Sequence, residues 1–151
     1  MLPVHLPRST PLLEGRLRRR YKRFLADVEL ADGTIVTAHC VNTGAMEGLT
    51  EPGSRVWLSR ADNPNRKLAF TWELVETGGL VYGANTGLPN RLVRQLLEEH
   101  RLPWLAHFDE IRPERRYGER SRVDFWLGGK RGELYLEVKN CHLLYPDGRA
   151  Y

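Results

Sequence analysis

The segment from Ser121 to Lys139 constrains the fold of this chain more than any other part of the sequence. Residues 121–127 and 133–139 alternate apolar and polar side chains, and the glycine-rich stretch 128–132 separates them. This pattern is typical of a β-hairpin. Because successive side chains on a strand point to opposite faces, one face is expected to be apolar. Its members are Val123, Phe125, Leu127, Leu134, Leu136 and Val138.

The other face of this hairpin is predicted to carry two acidic residues opposite each other. In a symmetric hairpin Asp124 faces Glu137, and Arg122 faces Lys139. Facing carboxylates repel each other, and a divalent cation such as Mg²⁺ can compensate them. We therefore predict an Asp…Glu-x-Lys metal site, in which Lys139 contacts phosphate or orients water. The alternative is a solvated face whose charges neutralise one another diagonally. The predicted members of this face are Asp124, Trp126, Tyr135, Glu137 and Lys139.

Composition indicates a globular protein of one domain or two small ones. The chain has 151 residues, of which 41% are hydrophobic and 28% are charged. No apolar run approaches the roughly 18 residues of a membrane span, and the N-terminus lacks the pattern of a signal peptide. The two cysteines are too few for a disulfide scaffold. We therefore expect a cytoplasmic protein that does not associate with membranes.

Basic residues are concentrated in two places. Seven basic residues and one acidic residue lie between Arg8 and Arg23, and five arginines lie between Arg112 and Arg122. Such clusters can contact polyanions, although taken singly they more often form a solvated surface. A polyanion such as a nucleic acid is the predicted partner. Its expected contacts are Arg18, Arg19, Arg20, Lys22 and Arg23, with Trp57 or Trp72 as stacking surfaces. Core packing is the alternative for both tryptophans, and for Trp57 it is the preferred one.

The first half of the chain reads as short strands separated by turns. Residues 13–30 fit one long, bent strand with a bulge near Lys22 and Arg23. Shorter strands are expected at 34–41, 54–60, 68–76 and 80–84. Five such strands, the first long and bulged, indicate a small closed barrel of the OB type. We assign it to residues 1–85.

The second half is predicted to be an α+β domain over residues 86–151. A helix opens near Pro89, with Leu92, Val93, Leu96 and Leu97 as its buried stripe. A strand at 111–117 and the hairpin follow. One helix on three strands leaves much of a sheet face uncovered. Either a partner such as a second copy of the chain covers it, as a homodimer would, or the chain is a fragment.

Two other patterns are better explained by local structure. Asn-Thr-Gly occurs at residues 42–44 and 85–87, each time after a strand, and fits turn chemistry. Four residues have side chains that zinc prefers, namely His39, Cys40, Cys141 and His142. A shared zinc site is not expected, because adjacent strand residues point to opposite faces. Cys40 is expected to be a small buried apolar residue.

Many spaced blocks of this sequence resemble the sugar fermentation stimulation protein A (SfsA) family over nearly its full length. They are residues 20–28, 39–40, 42–46, 52–53, 56–57, 66–67, 71–74, 85–86 and 90–92, then Glu114, 117–118, 121–122, 124–125 and 137–139. The resemblance implies an OB-like domain followed by a PD-(D/E)xK nuclease-like domain. It also implies DNA binding and a regulatory link to sugar (maltose) metabolism.

The resemblance further implies site residues. Asp124, Glu137 and Lys139 match the nuclease-like core. Glu114 is a weaker candidate for a third metal ligand, and Glu98 on the helix is a further weaker candidate. If Mg²⁺ binds there, the chemistry is phosphodiester hydrolysis by a metal-activated water. Ligands alone do not establish catalysis. A DNA-binding regulator is therefore the preferred function, and a Mg²⁺-dependent endonuclease is the alternative.

Three departures from the family pattern stand out. Val41 replaces the usual proline, and Cys141-His142 replaces a small or β-branched pair. Relatives also continue beyond the position of Tyr151 with a further helix and strands. The nuclease-like domain is therefore expected to be partial, with its C-terminal part missing, and inactive as an enzyme in this chain.

Overall fold

A computed structural model describes residues 10–118 and 121–141. The described residues divide into two compact units, residues 10–88 together with 141, and residues 89–140. Each unit is described here by itself. Within the described ranges, no helix has the length and apolar character needed to cross a lipid bilayer.

The first unit is a β-barrel. Its six strands are β1 (Leu13–Tyr21), β2 (Leu25–Leu30), β3 (Ile35–His39), β4 (Arg55–Arg60), β5 (Phe70–Thr77) and β6 (Leu80–Gly83). They are ordered β3-β2-β1-β4-β5-β6, and a parallel pairing of β3 with β5 closes strands β1 to β5 into a barrel. Closure removes the free strand edges. This confirms the predicted OB-type barrel, while β6 extends β5 outside the closed ring.

Residues 13–30 form a hairpin of two strands, so the prediction of one long strand is wrong. Tyr21 pairs with Leu25 across a tight turn. Lys22 and Arg23 at this turn have φ angles of 49° and 63°, values that residues other than glycine adopt infrequently. A bulge is present, but it interrupts the pairing of β1 with β2 at Arg18. The parity change in the sequence therefore marks a reversal of the chain.

The barrel interior is filled by apolar side chains from all five closing strands and the connections. The cluster comprises Leu17, Ala26, Val28, Ala38, Cys40, Met46, Leu49, Val56, Leu58, Trp72, Val75 and Ala84. Trp72 is the largest fully buried side chain, and its Nε1 donates to the Leu74 carbonyl at 2.9 Å. Gly15 lets β1 approach β2 closely, since a Cβ there would lie 2.5 Å from Val28 Cγ1.

The second unit is a three-stranded antiparallel sheet with a helix. Helix α1 (Leu88–Glu98) precedes β7 (Glu110–Tyr117), β8 (Ser121–Gly129) and β9 (Gly132–Leu136), ordered β7-β8-β9. The predicted helix and meander are thereby found. The core contains Leu97, Phe108, Phe125 and Leu127, with Val93, Leu102, Leu105, Ile111, Leu134, Leu136 and Val138 packed against it. Leu92 and Leu96 of the predicted stripe are half-buried outside this cluster.

Strand β7 changes the alternation of its side chains at Glu114. This residue has a φ of 53°, and pairing on either side places it opposite Asp124. Arg112 and Arg115 are three residues apart, so regular alternation would put them on opposite faces. Both guanidinium groups nevertheless lie over Trp126. The alternation is therefore interrupted at Glu114, although the register of β7 with β8 is the same on both sides of it.

Candidate metal centre and nucleic-acid interface

Asp124 is the best-positioned carboxylate of the predicted metal site. Its Oδ1 accepts a hydrogen bond from Asn90 Nδ2 at 2.7 Å, and its Oδ2 accepts one from the Val138 backbone N–H at 2.7 Å. Asn90 lies in the first turn of α1, on the helix face that carries Val93 and Leu97. The Asp124 carboxylate is therefore fixed from two elements, and each oxygen keeps a further lone pair for a cation.

These contacts correct the predicted distribution of side chains on β8. Val123 is buried, but it does not belong to the cluster around Phe125 and Leu127. Asp124 bonds both Asn90 of the helix and the Val138 backbone N–H, contacts that strict alternation does not predict for a residue on the face of Trp126. The interruption opposite Asp124 on β7 accounts for both differences.

Glu137 and Lys139 lie beyond the end of the hairpin ladder. Strand β9 ends at Leu136, whereas the sequence predicted a strand to Lys139. Lys139 Nζ donates to Glu137 Oε1 at 2.7 Å. This hydrogen bond raises the pKa of Lys139, and the charge of Asp124 contributes in the same direction. Lys139 therefore stays protonated at neutral pH and is the common neighbour of the two carboxylates.

The predicted third carboxylate is not assembled with the other two. Among residues 10–118 and 121–141, no group of three or more His, Cys, Asp or Glu side chains is arranged to hold a metal ion. Glu114 is exposed on β7, and Glu98 forms an ion pair with Arg94 at 2.8 Å on the surface of α1. Carboxylate oxygens such as those of Asp124 and Glu137 are the donors that a hard cation such as Mg²⁺ or Ca²⁺ prefers.

Two of the predicted DNA contacts are engaged in ion pairs on the barrel. Arg18 pairs with Glu29, and Arg19 Nε lies 2.8 Å from Asp27 Oδ2. Burial by itself raises the pKa of Asp27, but hydrogen bonds from Arg19, Thr37 and Tyr21 outweigh it and hold the pKa below its usual value. Arg18 and Arg19 are thus already partly neutralised within the barrel.

Arg20 is used inside the fold. Its Nη2 donates to the backbone carbonyls of Arg23, Asn42 and Gly44, each at 2.8 Å, and its Nη1 donates to Ala45 at 3.2 Å. These bonds tie the β1–β2 turn to the loop after β3. Since both terminal nitrogens bond backbone carbonyls, the geometry favours a structural role for Arg20 over phosphate contact.

Lys22 and Arg23 are the two of the five predicted DNA contacts that are exposed and not used in ion pairs among the described residues. Both side chains are exposed at the β1–β2 turn, and in the described part of the chain neither forms an ion pair. The burial of the two tryptophans is the reverse of the expected one, in which Trp57 was preferred for core packing. Trp72 is fully buried and cannot stack on a base, whereas Trp57 is half-buried with Arg55 4.8 Å from its ring centre.

The two Asn-Thr-Gly segments form turns, as predicted. In each, the asparagine side-chain oxygen accepts a hydrogen bond from the glycine N–H at 2.9 Å. Cys40 is fully buried, as expected, and burial raises the pKa of its thiol. His142 lies outside the described residues, and His39 contacts Arg66 at 3.2 Å.

Sequence reasoning missed Asn90 and the arrangement around Trp126. Asn90 was placed only as a helix start, and nothing in its position signals a contact 34 residues away with Asp124. Arg112 and Arg115 were predicted to belong to a basic cluster, but their stacking on Trp126 depends on the interruption at Glu114. Non-glycine residues with positive φ carry no reliable sequence signal.

Comparison with known proteins identifies the family. The sequence model of the family described as SfsA N-terminal OB domain matches residues 19–83. The family model described as sugar fermentation stimulation protein RE domain matches residues 87–151. The chain belongs to the SfsA family. Similar SfsA relatives named sugar fermentation stimulation protein homolog occur in Geobacter metallireducens (58% identical, 91% of this chain and 62% of the relative) and Methylorubrum extorquens (56%, 93% and 59%). The chain thus spans about three fifths of the length of these SfsA proteins.

A solved SfsA structure has the same fold. It is described as the structure of Pyrococcus furiosus SfsA in complex with Ca²⁺, and it matches with a TM-score of 0.75 at 26% identity. The match covers 89% of this chain and 57% of that one. The barrel and the helix–meander arrangement are therefore features shared with another member of the SfsA family.

Proposed function

We propose that this chain is a DNA-binding protein that holds a divalent cation, Mg²⁺ or Ca²⁺, at Asp124 and Glu137. The observation that carries the proposal is the fixed Asp124 carboxylate beside the Glu137–Lys139 pair. These three residues match the Asp…Glu-x-Lys pattern that the family resemblance implies for a PD-(D/E)xK nuclease-like domain. A cation here would offer open positions to phosphate oxygens, and Lys139 would add a second positive charge.

The relatives support this proposal. The Pyrococcus furiosus SfsA was solved with Ca²⁺, a cation that prefers carboxylate ligands. An OB barrel is a fold that often binds nucleic acids. The relatives' names refer to stimulation of sugar fermentation, and we extend to this chain a regulatory role in sugar (maltose) metabolism that operates through DNA.

The barrel contributes to DNA binding mainly through the β1–β2 turn. Lys22 and Arg23 project there without competing acidic partners among the described residues. Arg20 holds the turn in place by bonding the Arg23 carbonyl. Phosphate contacts from such a turn are independent of base sequence and weaken as salt displaces them.

Replacing both turn cations tests this surface. Log affinity falls as log salt rises, and we expect Lys22→Gln/Arg23→Gln to make this negative slope shallower by about 2, because each lost phosphate contact removes roughly 0.9. Fluorescence anisotropy with a labelled duplex at several salt concentrations measures the slope. The matched control is Lys130→Gln/Arg131→Gln, which removes the same charge from the exposed β8–β9 turn. Equal slopes for the two double variants would contradict the assignment.

A Mg²⁺-dependent endonuclease is the second candidate function. The observation that favours it is Lys139, which is paired with Glu137 and close to Asp124. A cation bound by the carboxylates would activate a water, and the Lys139 ammonium would stabilise charge that develops on the phosphate. Asn90 would act only by positioning Asp124.

Plasmid cleavage separates this candidate from DNA binding alone. If the chain is an endonuclease, it nicks supercoiled plasmid with Mg²⁺, and Asp124→Ala abolishes nicking because the fixed ligand is lost. The assay follows conversion of supercoiled to relaxed DNA on a gel. Equal nicking by both proteins would reveal a contaminating nuclease, and no nicking by either would leave DNA binding as the function.

A further inference from the structure

One face of the three-stranded sheet carries a stack of arginine and aromatic side chains. The guanidinium carbons of Arg112 and Arg115 lie 5.1 and 4.0 Å from the centre of the Trp126 ring. Trp126 Nε1 donates to Glu133 Oε2 at 2.7 Å, so the indole is held in place. Together with Tyr117 and Tyr135, these residues form what we call the arginine–tyrosine face: Arg112, Arg115, Tyr117, Trp126 and Tyr135.

The two tyrosines are exposed and pair with each other. Tyr117 is 48% exposed and Tyr135 is 47% exposed, although aromatic side chains are usually covered. They lie on the outer strands β7 and β9, two strand spacings or roughly 10 Å apart across the sheet, and they are also offset along β8, where Tyr117 pairs with Ser121 and Tyr135 with Trp126. Their ring centres are nevertheless 5.6 Å apart. Both rings therefore rise over the sheet as one aromatic surface.

Two carboxylates lie at this face, Glu110 paired with Arg112 and Glu133 bonded to Trp126, and they leave Arg115 without an ion pair among the described residues. Arg112 bonds Glu110 at 2.6 Å, but no ion pair of Arg115 is found within residues 10–118 and 121–141. In that same part of the chain, Arg115 Nη1 is buried without a hydrogen-bond partner. Arg115 is only half-buried, so a phosphate that contacts the accessible part of its guanidinium would pair its charge.

We propose that the arginine–tyrosine face binds an unpaired nucleic-acid strand, with a base stacked on Tyr117 and Tyr135 and a phosphate at Arg112 and Arg115. Only an unpaired strand offers its base faces to aromatic side chains, whereas duplex DNA presents phosphates and base edges. Tyr135 lies two residues before Glu137, and Asp124 bonds the N–H of the next residue, Val138, so the bound strand would pass beside the candidate metal centre. This inference rests on the proposed function, since it assigns a strand type to the same DNA-binding protein.

Ring removal tests the inference on the full chain. The probes are a labelled oligothymidylate and a labelled duplex, both followed by fluorescence anisotropy. We expect Tyr117→Leu/Tyr135→Leu to weaken binding of the single strand at least tenfold and binding of the duplex less than twofold, because stacking on a ring contributes about a tenfold factor or more per base. Tyr117→Phe/Tyr135→Phe keeps the rings and is expected to retain single-strand affinity.

The remaining outcomes show whether the inference fails alone or together with the proposed function. Equal loss for both probes, or no loss for the single strand, would overturn the inference. Binding of duplex but not of single strand by the unaltered chain would overturn it while the proposed function stands, and binding of neither would overturn both. A change from dimer to monomer in the leucine variant, with unchanged single-strand affinity, would show that the face binds a second copy of the chain instead.

Discussion

Trp72→Ala is expected to destabilise the barrel by about 3–5 kcal/mol, the range found for truncation of large buried side chains. Trp72 is fully buried, with 0% of its surface accessible to solvent, and it is the largest side chain in the barrel core. Truncation would leave a cavity among packed neighbours and remove the Nε1 hydrogen bond to the Leu74 carbonyl. Since domains are typically stable by only about 5–15 kcal/mol, this one change removes a large fraction of the total.

Urea denaturation followed by circular dichroism measures this effect. The matched control is Trp104→Ala. This substitution removes the same ring from a side chain that is 67% exposed. We expect the control to change the free energy of unfolding by no more than about 0.5 kcal/mol. A Trp72→Ala protein as stable as the control would contradict the barrel core described here.

The barrel could be predicted from the sequence because its turns carry clear signals. Asp32-Gly33, Pro52-Gly53 and Gly78-Gly79 all precede observed strands. These glycines have positive φ, a conformation that their lack of a Cβ makes inexpensive. Where a turn used the residues that turns favour, the predicted and observed strands agree.

The β1–β2 hairpin was missed because its turn lacks those residues. Lys22 and Arg23 adopt positive φ without being glycine, asparagine or aspartate. Arg20 compensates by bonding the carbonyls that the turn and the following loop present. A long-range contact of this kind cannot be read from local sequence, and it also changes the interpretation of Arg20 as a DNA contact.

The residues of the candidate metal centre stay a prediction from the sequence, and alternation did not predict their geometry. Alternation correctly placed Phe125, Leu127 and Leu134 in the core. It failed at Asp124, because the positive φ of Glu114 interrupts the pairing opposite it. Sequence spacing therefore identified the candidate ligands, while the backbone of a neighbouring strand determined where they point.

Asp124→Asn is expected to lower the affinity for Ca²⁺ by about 100-fold or more, since loss of even an outer-shell partner costs roughly 10–100-fold. The substitution preserves the shape of the side chain and an oxygen for the Val138 N–H. It removes the negative charge that a hard cation requires. Glu137→Gln is expected to act in the same direction, and it also frees Lys139 from its ion pair.

Titration of the full chain with Ca²⁺ by isothermal calorimetry tests the central claim most directly. We predict that the unaltered chain binds one cation, that Asp124→Asn and Glu137→Gln show no measurable binding, and that Glu110→Gln, an exposed carboxylate of the same sheet, binds normally. Equal heats from the unaltered chain and Asp124→Asn, or no binding by the unaltered chain, would contradict the proposed metal centre.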